Sequence, residues 1–480
     1  MAPRFRVCRA GRYHHTETVS EMSERHGGGH NRALARLSSG VLLTNGLAAI
    51  VLLATSVLTA RAFGPTGRGE LSLATQFLVL TATLGSLSLG AAAAYYAARG
   101  TAPKGLAFGT SALLGLLLGL AIVAVCACVI LVGDVTFRGL PQQDLLLALV
   151  AVPFVLALTN IQSVYQGFRS FREFNVITLA QAALPLLLIG IAVILGGGVR
   201  AAIAATVAAA VLLFTAVVAY VRRSTRIAWR VDLPFARMLA SYGLRAHPAN
   251  VLAYLGYRLD VFLVDGFKGA AAVGLYGAGV VVVEGLWMPS QAISTALFPT
   301  IAAERTESTR RQITPLVVRS TLWLTSILAA ILFVAAGPVI DLLYSSRFSA
   351  SAAVVRILVP GIVLFAAARV LGNDIAARGR PLVNSVVASA SVLFNIGLNV
   401  VLIPRYGING AAWASTGSYA SVFVATAVVY RRMANVPLRE LVVPSREDGR
   451  RYVRLAKRLA GRHEDPRSVQ VPADASRRSR

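Results

Sequence analysis

The chain has 480 residues, of which 56% are hydrophobic and only 14% charged, against about 25% charged in an ordinary soluble protein. Too little charged surface remains to cover soluble domains, so a soluble enzyme is excluded, and the mean hydropathy of +0.66 points to a chain that crosses a membrane many times. A formal net charge of +26 would suggest nucleic acid in a soluble protein. Here the basic residues sit between and beyond the apolar runs, which fits topology signals and contact with anionic lipid headgroups, and no nucleic-acid partner is expected.

Residues 1–36 are polar and arginine-rich and are expected to form a disordered basic tail, with Met22 as a second candidate start. No cleavable signal peptide is expected; the first apolar run is long enough to act as a signal anchor. Twelve apolar runs follow, near 37–62, 71–97, 105–132, 143–168, 174–196, 199–221, 238–264, 270–303, 313–343, 351–377, 382–403 and 408–431. A spanning helix needs about 20 apolar residues, so each run is predicted to cross once. With the N-terminus inside, 36 Lys and Arg fall on the inner side and seven (among them Arg61, Arg68 and Arg347) on the outer side. That bias is expected to put both termini in the cytosol, and the plasma membrane is the expected location. Cys126 and Cys128 lie two apart within one run and Cys8 in the tail, so neither a disulfide framework nor a metal site is expected.

The basic stretch 222–237 divides the spans six and six. The predicted fold is therefore an all-α integral membrane protein of about 12 transmembrane helices in two lobes, 37–221 and 238–434, with a basic cytosolic tail at 435–480. The halves resemble each other weakly. Gly64-Pro-Thr-Gly-Arg-Gly69 follows the first run and Gly269-Ala-Ala-Ala-Val-Gly274 the seventh, while Gly198-Val-Arg-Ala-Ala and Gly407-Ile-Asn-Gly-Ala-Ala enter the sixth and twelfth. A parallel repeat of this kind puts a substrate cavity between the lobes and works by alternating access.

Ionisable residues inside spans carry the chemistry, since a mid-bilayer charge costs about 2.5–3.5 kcal/mol on insertion scales. Most of them fall in the second half. At about 100° per residue, His247, Asn250, Tyr254, Arg258 and Asp265 share one stripe of the seventh span, with Arg245 and Asp260 on the other side. The stripe is expected to line a water-filled cavity; for Arg245 and Arg258 snorkelling, and for Arg258 and Asp265 pairing, remain alternatives. Arg369 and Arg356, on the tenth span, are further cavity candidates, and Asp374 is expected to pair with Arg378 one turn away. Glu284 is the sole charge in its long apolar run. It stands either as an ion-coupling group, with Asp260 and Asp265, or as a buried or arginine-paired acid. Arginine forks suit diphosphate oxygens. A cavity open sideways would hold a diphosphate head while its lipid chain stays in the bilayer and neutral sugars cross the polar lumen. No Walker loop is present, so no cofactor is expected, and a proton or sodium gradient or downstream consumption is the expected driver.

Several short runs share an order and spacing with a known family: Ala62-Phe-Gly-Pro-Thr-Gly-Arg-Gly-Glu70, Tyr257-Arg-Leu-Asp260, Val273-Gly-Leu-Tyr-Gly-Ala278, Ala296-Leu-Phe-Pro-Thr300, Arg378-Gly-Arg-Pro381, Asn395-Ile-Gly-Leu-Asn399 and Tyr406-Gly-Ile-Asn-Gly-Ala-Ala412. Over residues 34–434 the chain resembles the Wzx-like oligosaccharide flippases of the polysaccharide biosynthesis family, within the MOP flippase superfamily that also holds the MATE multidrug extruders and MurJ-like flippases. The resemblance implies a V-shaped two-lobed transporter that moves polyprenyl-diphosphate-linked glycans to the outer leaflet, with a glycan polymerase or glycosyltransferases as partners. It carries over Arg258, Asp260 and Arg369 as cavity positions. A cation-coupled multidrug antiporter on the same scaffold is the rival; it would want acidic residues in the cavity, where the spans of this chain hold more arginine than acid.

Overall fold

The computed structural model describes residues 18–443 apart from 134–136, 138–139, 226 and 288–306. Among the described residues the backbone is almost wholly helical, with no strand and one isolated bridge between Phe137 and Leu140. The first-half helices are α1 (Thr18–Gly85), α2 (Leu89–Ala98), α3 (Lys104–Gly133), α4 (Gln142–Leu149), α5 (Val152–Gly167), α6 (Phe171–Ile194) and α7 (Val199–Ser224). The second half holds α8 (Leu233–Lys268), α9 (Ala270–Glu284), α10 (Glu307–Tyr344), α11 (Ser351–Ala377), α12 (Pro381–Tyr406), α13 (Ile408–Ala434) and the short α14 (Leu438–Val442).

Helix α1 contains two of the expected crossings. Its apolar part, Leu43–Gly85, is 43 residues long; at 1.5 Å per residue that is about 65 Å, twice the hydrocarbon thickness. It cannot be one straight span, and it breaks at Gly64, whose φ of 68° and ψ of −170° lie outside helical space. Glycine alone adopts that conformation without a Cβ penalty, and Pro65 then restarts the helix with its φ preset and no N–H to satisfy. Gly64-Pro-Thr-Gly-Arg-Gly69 is therefore a bend and the first turn of the next crossing, where the sequence suggests a loop. The same crossing breaks again before α2, at Leu87 (φ 44°) and Ser88 (φ 53°), two non-glycine residues in left-handed conformation.

Among the described residues nine segments are long and apolar enough to span a bilayer. The expected number is twelve, and the difference has physical causes. Leu43–Gly85 counts once although it joins two runs, α8 carries too many polar groups to qualify, and α9 is a shorter apolar helix whose expected extension to residue 303 runs beyond the described residues. Helix α1 also starts at Thr18, so residues 18–36 are helical where a disordered tail is expected; Glu21, Met22, Glu24, Arg25 and the Ala33-Leu-Ala-Arg stretch favour helix. Ala296–Thr300 and the basic tail from residue 444 onward lie outside the described residues.

Within the first half α1 packs on α6, α3 on α5, α6 on α7 and α2 on α5; within the second, α11 packs on α13 and α10, and α12 on α13 and α8. The halves meet chiefly where α1 crosses α9 and α2 crosses α8. Glycine N-caps, Gly198 and Gly407, open the final spanning helix of each half.

Candidate functional site

The α1–α9 crossing is closer than any side chain would permit. A Cβ on Gly69 would lie 1.8 Å from the Ala270 carbonyl oxygen, and one on Gly274 would lie 1.9 Å from the Pro65 carbonyl oxygen. The two glycines are equivalent positions of the sequence repeat, and each abuts the backbone of the other's segment. Small residues are how membrane helices achieve such contact, because there is no water-driven force to hold bulkier ones together. The guanidinium of Arg68 lies in the same seam. Its Nη1 donates to the Gly274 carbonyl and its Nη2 to Ser56 Oγ at 2.8 Å. Ser56 in turn shares a 3.0 Å hydrogen bond with the Tyr344 hydroxyl, and the Tyr344 ring lies beneath the guanidinium at 5.5 Å. Arg68 is only 6% exposed, so its expected place in an outer loop is wrong. The restart of the helix at Pro65 turns it inward.

A second contact between the halves forms at the α2 break. Gly243 on α8 packs so tightly that a Cβ would lie 2.3 Å from the Leu87 carbonyl oxygen. There Asn250 Nδ2 donates to Ser88 Oγ at 2.7 Å, His247 Nδ1 lies 3.4 Å from the same hydroxyl, and the Tyr254 hydroxyl donates to the Gln76 carbonyl at 2.8 Å. The Tyr95 and Tyr242 rings stack at 4.6 Å. The polar stripe of α8 thus faces the first half, partly as a hydrogen-bonded seam.

Between the two contacts lies a cavity of about 840 Å³, at the upper end of the range for ligand sites. Its walls are mostly apolar, with Arg68, Arg258 and Glu284 as its charged lining among the described residues. The Arg258 Nη1 lies 3.0 Å from Glu284 Oε1, and Nη2 approaches Oε2 at 3.4 Å, a bidentate pair about a quarter exposed on each side. The first half adds Thr55, Ser56, Thr59, Ser72, Thr75, Gln76, Gln181 and Thr206. Thr55, Thr59, Thr75 and Thr206 donate their hydroxyl hydrogens to carbonyls one turn back in their own helices. Their oxygen lone pairs stay available to accept from whatever occupies the cavity.

His247, Asn250 and Tyr254, expected to line the cavity, lie in the hydrogen-bonded seam and not in the cavity lining, and the other expected site residues are dispersed. Arg245 is exposed and outside the cavity lining. Arg356 is exposed too, with its Nε 3.3 Å from the Phe333 carbonyl; both fit arginines that reach for an interface rather than line a lumen. Asp265 is fully buried beside Val264, off the cavity. Arg369 lines a separate 190 Å³ cavity within the second half, beside Asn384, Ser391, Tyr257, Phe365 and Tyr419. Arg378 Nε meets Asp374 Oδ2 at 3.0 Å, the pair its spacing suggests.

Asp260 faces away from the cavity into its own half. Its Oδ1 accepts from the Val261 N–H and its Oδ2 from the Tyr276 hydroxyl at 2.5 Å; that hydroxyl also contacts Ser415 Oγ at 3.2 Å. This network ties α8 to α9 and α13. Tyr276→Phe strands a carboxylate oxygen and is expected to destabilise the protein by about 1–3 kcal/mol, with Asp260→Asn in the same background recovering part of the loss. Thermal unfolding of the starting protein and the two variants in detergent checks this, and equal melting temperatures would refute it.

Residues the sequence did not single out are Arg68, Ser88 and the hydroxyl wall. The repeat at Gly64–Gly69 and the Gly85-Ser-Leu-Ser88 stretch were the available signals for the first two.

This geometry places two helical halves around a cavity with a charged wall, and solved structures share the fold. An inward-facing MATE multidrug resistance transporter of the MOP superfamily superposes with a TM-score of 0.66 at 16% identity, covering 81% of this chain and 94% of that one. Lipid II flippase MurJ in an inward closed conformation superposes at 0.68 and 14% identity, over 88% and 93%. The chain belongs to the polysaccharide biosynthesis protein family, which its residues 57–353 match. A curated relative, the probable low-salt glycan biosynthesis flippase Agl15 of Haloferax volcanii, is 26% identical over 188 residues. That match spans 38% of this chain and 40% of the relative.

Proposed function

We propose that the protein is a flippase that moves a polyprenyl-diphosphate-linked glycan across the plasma membrane for cell-surface polysaccharide synthesis. The observation that carries this reading is the division of labour in the central cavity: guanidinium groups at Arg68 and Arg258, and a hydroxyl- and amide-bearing wall from the first half. The cations match diphosphate oxygens, and the wall matches sugar hydroxyls. The family and the Agl15 likeness support the same substrate class. Transport without catalysis follows, by alternating access of two lobes, 37–221 and 238–434. The charge bias orients both termini to the cytosol, so the Gly69–Gly274 contact is the outer closure and the Ser88–Asn250 contact lies toward the cytosol. A proton or sodium gradient or downstream consumption drives the cycle. The basic flanks contact anionic lipids, and glycosyltransferases or a polymerase act on the two sides of the step.

The rival reading, a cation-coupled multidrug antiporter, wants an available acid in the cavity. Among the described residues Glu284 is the acid there, and Arg258 neutralises it. Purified protein in proteoliposomes is expected to expose a diphosphate-linked glycolipid to an external glycosidase and to leave an organic cation untransported. Movement of the cation alone would overturn the reading.

A further inference from the structure

We propose that Arg68 is the residue through which an anionic headgroup in the central cavity unlocks the outer closure. The proposal rests on the flippase reading for its ligand, a diphosphate, and goes beyond it in assigning a binding and gating role to a residue of the seam. Arg68 lines the cavity and is almost wholly buried, yet among the described residues no carboxylate pairs with it. Its partners are neutral oxygens, the Gly274 carbonyl of the opposite half, Ser56 Oγ and the Tyr344 hydroxyl, and its Nε is buried without a hydrogen-bond partner among the described residues. The other cavity guanidinium, Arg258, differs in that it shares its charge with Glu284.

A desolvated guanidinium held only by neutral oxygens binds an anionic oxygen in preference, because a charge-assisted hydrogen bond is roughly twice as strong as a neutral one. Its unused Nε and its fork geometry suit a phosphate bidentately. A diphosphate that reaches the outer part of the cavity therefore competes with the Gly274 carbonyl for the same nitrogen. Gly274 is also the residue seated against Pro65, so the bond that is lost is the one fastening the tight backbone contact. A ligand shifts a two-state equilibrium only by binding one state better. Here the better-bound state is the one in which Arg68 has left Gly274. Coupling of occupancy to opening follows without a separate sensor.

The test uses the full chain in lipid nanodiscs with Cys8, Cys126 and Cys128 changed to Ser and reporters Thr66→Cys and Ala271→Cys, two exposed positions on either side of the closure. The rate of cross-linking by a short bismaleimide reports closure. Inorganic pyrophosphate and farnesyl diphosphate are expected to slow it about tenfold, the size of one charged hydrogen bond, and farnesol is expected to leave it unchanged. Arg68→Gln is expected to cross-link slowly without ligand and to respond to neither diphosphate. A response to farnesyl diphosphate alone assigns the ligand to a lipid headgroup, and a response to both shows that the diphosphate suffices. Calorimetric binding on the same samples separates the two levels of failure. Diphosphate binding with an unchanged cross-linking rate overturns the role of Arg68 and leaves the flippase reading intact, whereas absence of binding removes both. The ligand arm needs no substitution at Arg68, so it decides the matter even if Arg68→Gln does not fold.

Discussion

Arg258→Ala is expected to lower glycolipid transport by about ten- to a hundredfold, the loss of a charged hydrogen bond to a phosphate oxygen. The same substitution also leaves Glu284 without its partner. Removing one member of a desolvated ion pair destabilises because the other charge stays behind uncompensated. The two consequences separate in the double variant. Arg258→Ala with Glu284→Gln is expected to recover thermal stability to within about 1 kcal/mol of the starting protein, since no bare charge remains. It is not expected to recover transport, because the cation proposed to meet the diphosphate is still missing. Recovery of both would reduce Arg258 to a scaffold for Glu284. Glu284→Gln alone is informative as well. It leaves Arg258 free in the cavity, so the affinity for pyrophosphate is expected to rise, as measured by calorimetry.

Gly69→Ala and Gly274→Ala are each expected to stop transport while the protein still reaches the membrane. In both cases a methyl group would sit under 2 Å from a backbone carbonyl oxygen of the opposing helix. A backbone carbonyl cannot turn aside as a flexible side chain does, so the two helices must separate. Packed interiors do not absorb such displacements gradually. The Thr66→Cys and Ala271→Cys cross-link is expected to form slowly in either variant without any ligand. A variant that cross-links and transports normally would show that the closure is not part of the cycle. The interior of each bundle is built from contacts that do not involve these glycines, which is why insertion and abundance are expected to hold.

Much of the fold is legible in one dimension because a bilayer permits little else: an apolar run of about 20 residues has to be a helix. The runs from Lys104 to Ile194 and from Ser351 to Ala434 accordingly match helices closely. Hydropathy reads less well where a crossing is polar for a reason. Helix α8 is too polar to score as a span, and its polar face is the one hydrogen-bonded to Ser88 and Gln76. Gly64-Pro65 has loop composition, yet a glycine bend followed by a proline at the first helical position is also how a crossing begins, and that ambiguity misplaced Arg68. The sequence expects the stripe on α8 to line the cavity; Arg258 reaches the cavity lining, while His247, Asn250 and Tyr254 are taken up in the hydrogen-bonded seam. The stripe also fails at Asp265, two turns on, where the helix has passed beyond the cavity. Arg356 and Arg369 share one helix but serve different surroundings, since burial on α11 is decided by α10 on one side and by α12 and α13 on the other. The hydroxyl wall was invisible for a different reason: threonine and serine are common in membrane helices, and only the shape of the void selects which of them matter.

The reciprocal contact at Gly69 and Gly274 has a mechanical corollary. One turn from each glycine, on the same helix face, stand residues with side chains, Pro65 and Leu73 on one helix, Ala270 and Ala278 on the other. Sliding the helices in either direction would drive those side chains against the facing carbonyls at both places together. The joint behaves as a detent with a single seated registration. On the proposed cycle it would let go without creeping, so the molecule's far end would have an engaged and a disengaged position and no half-measures between them.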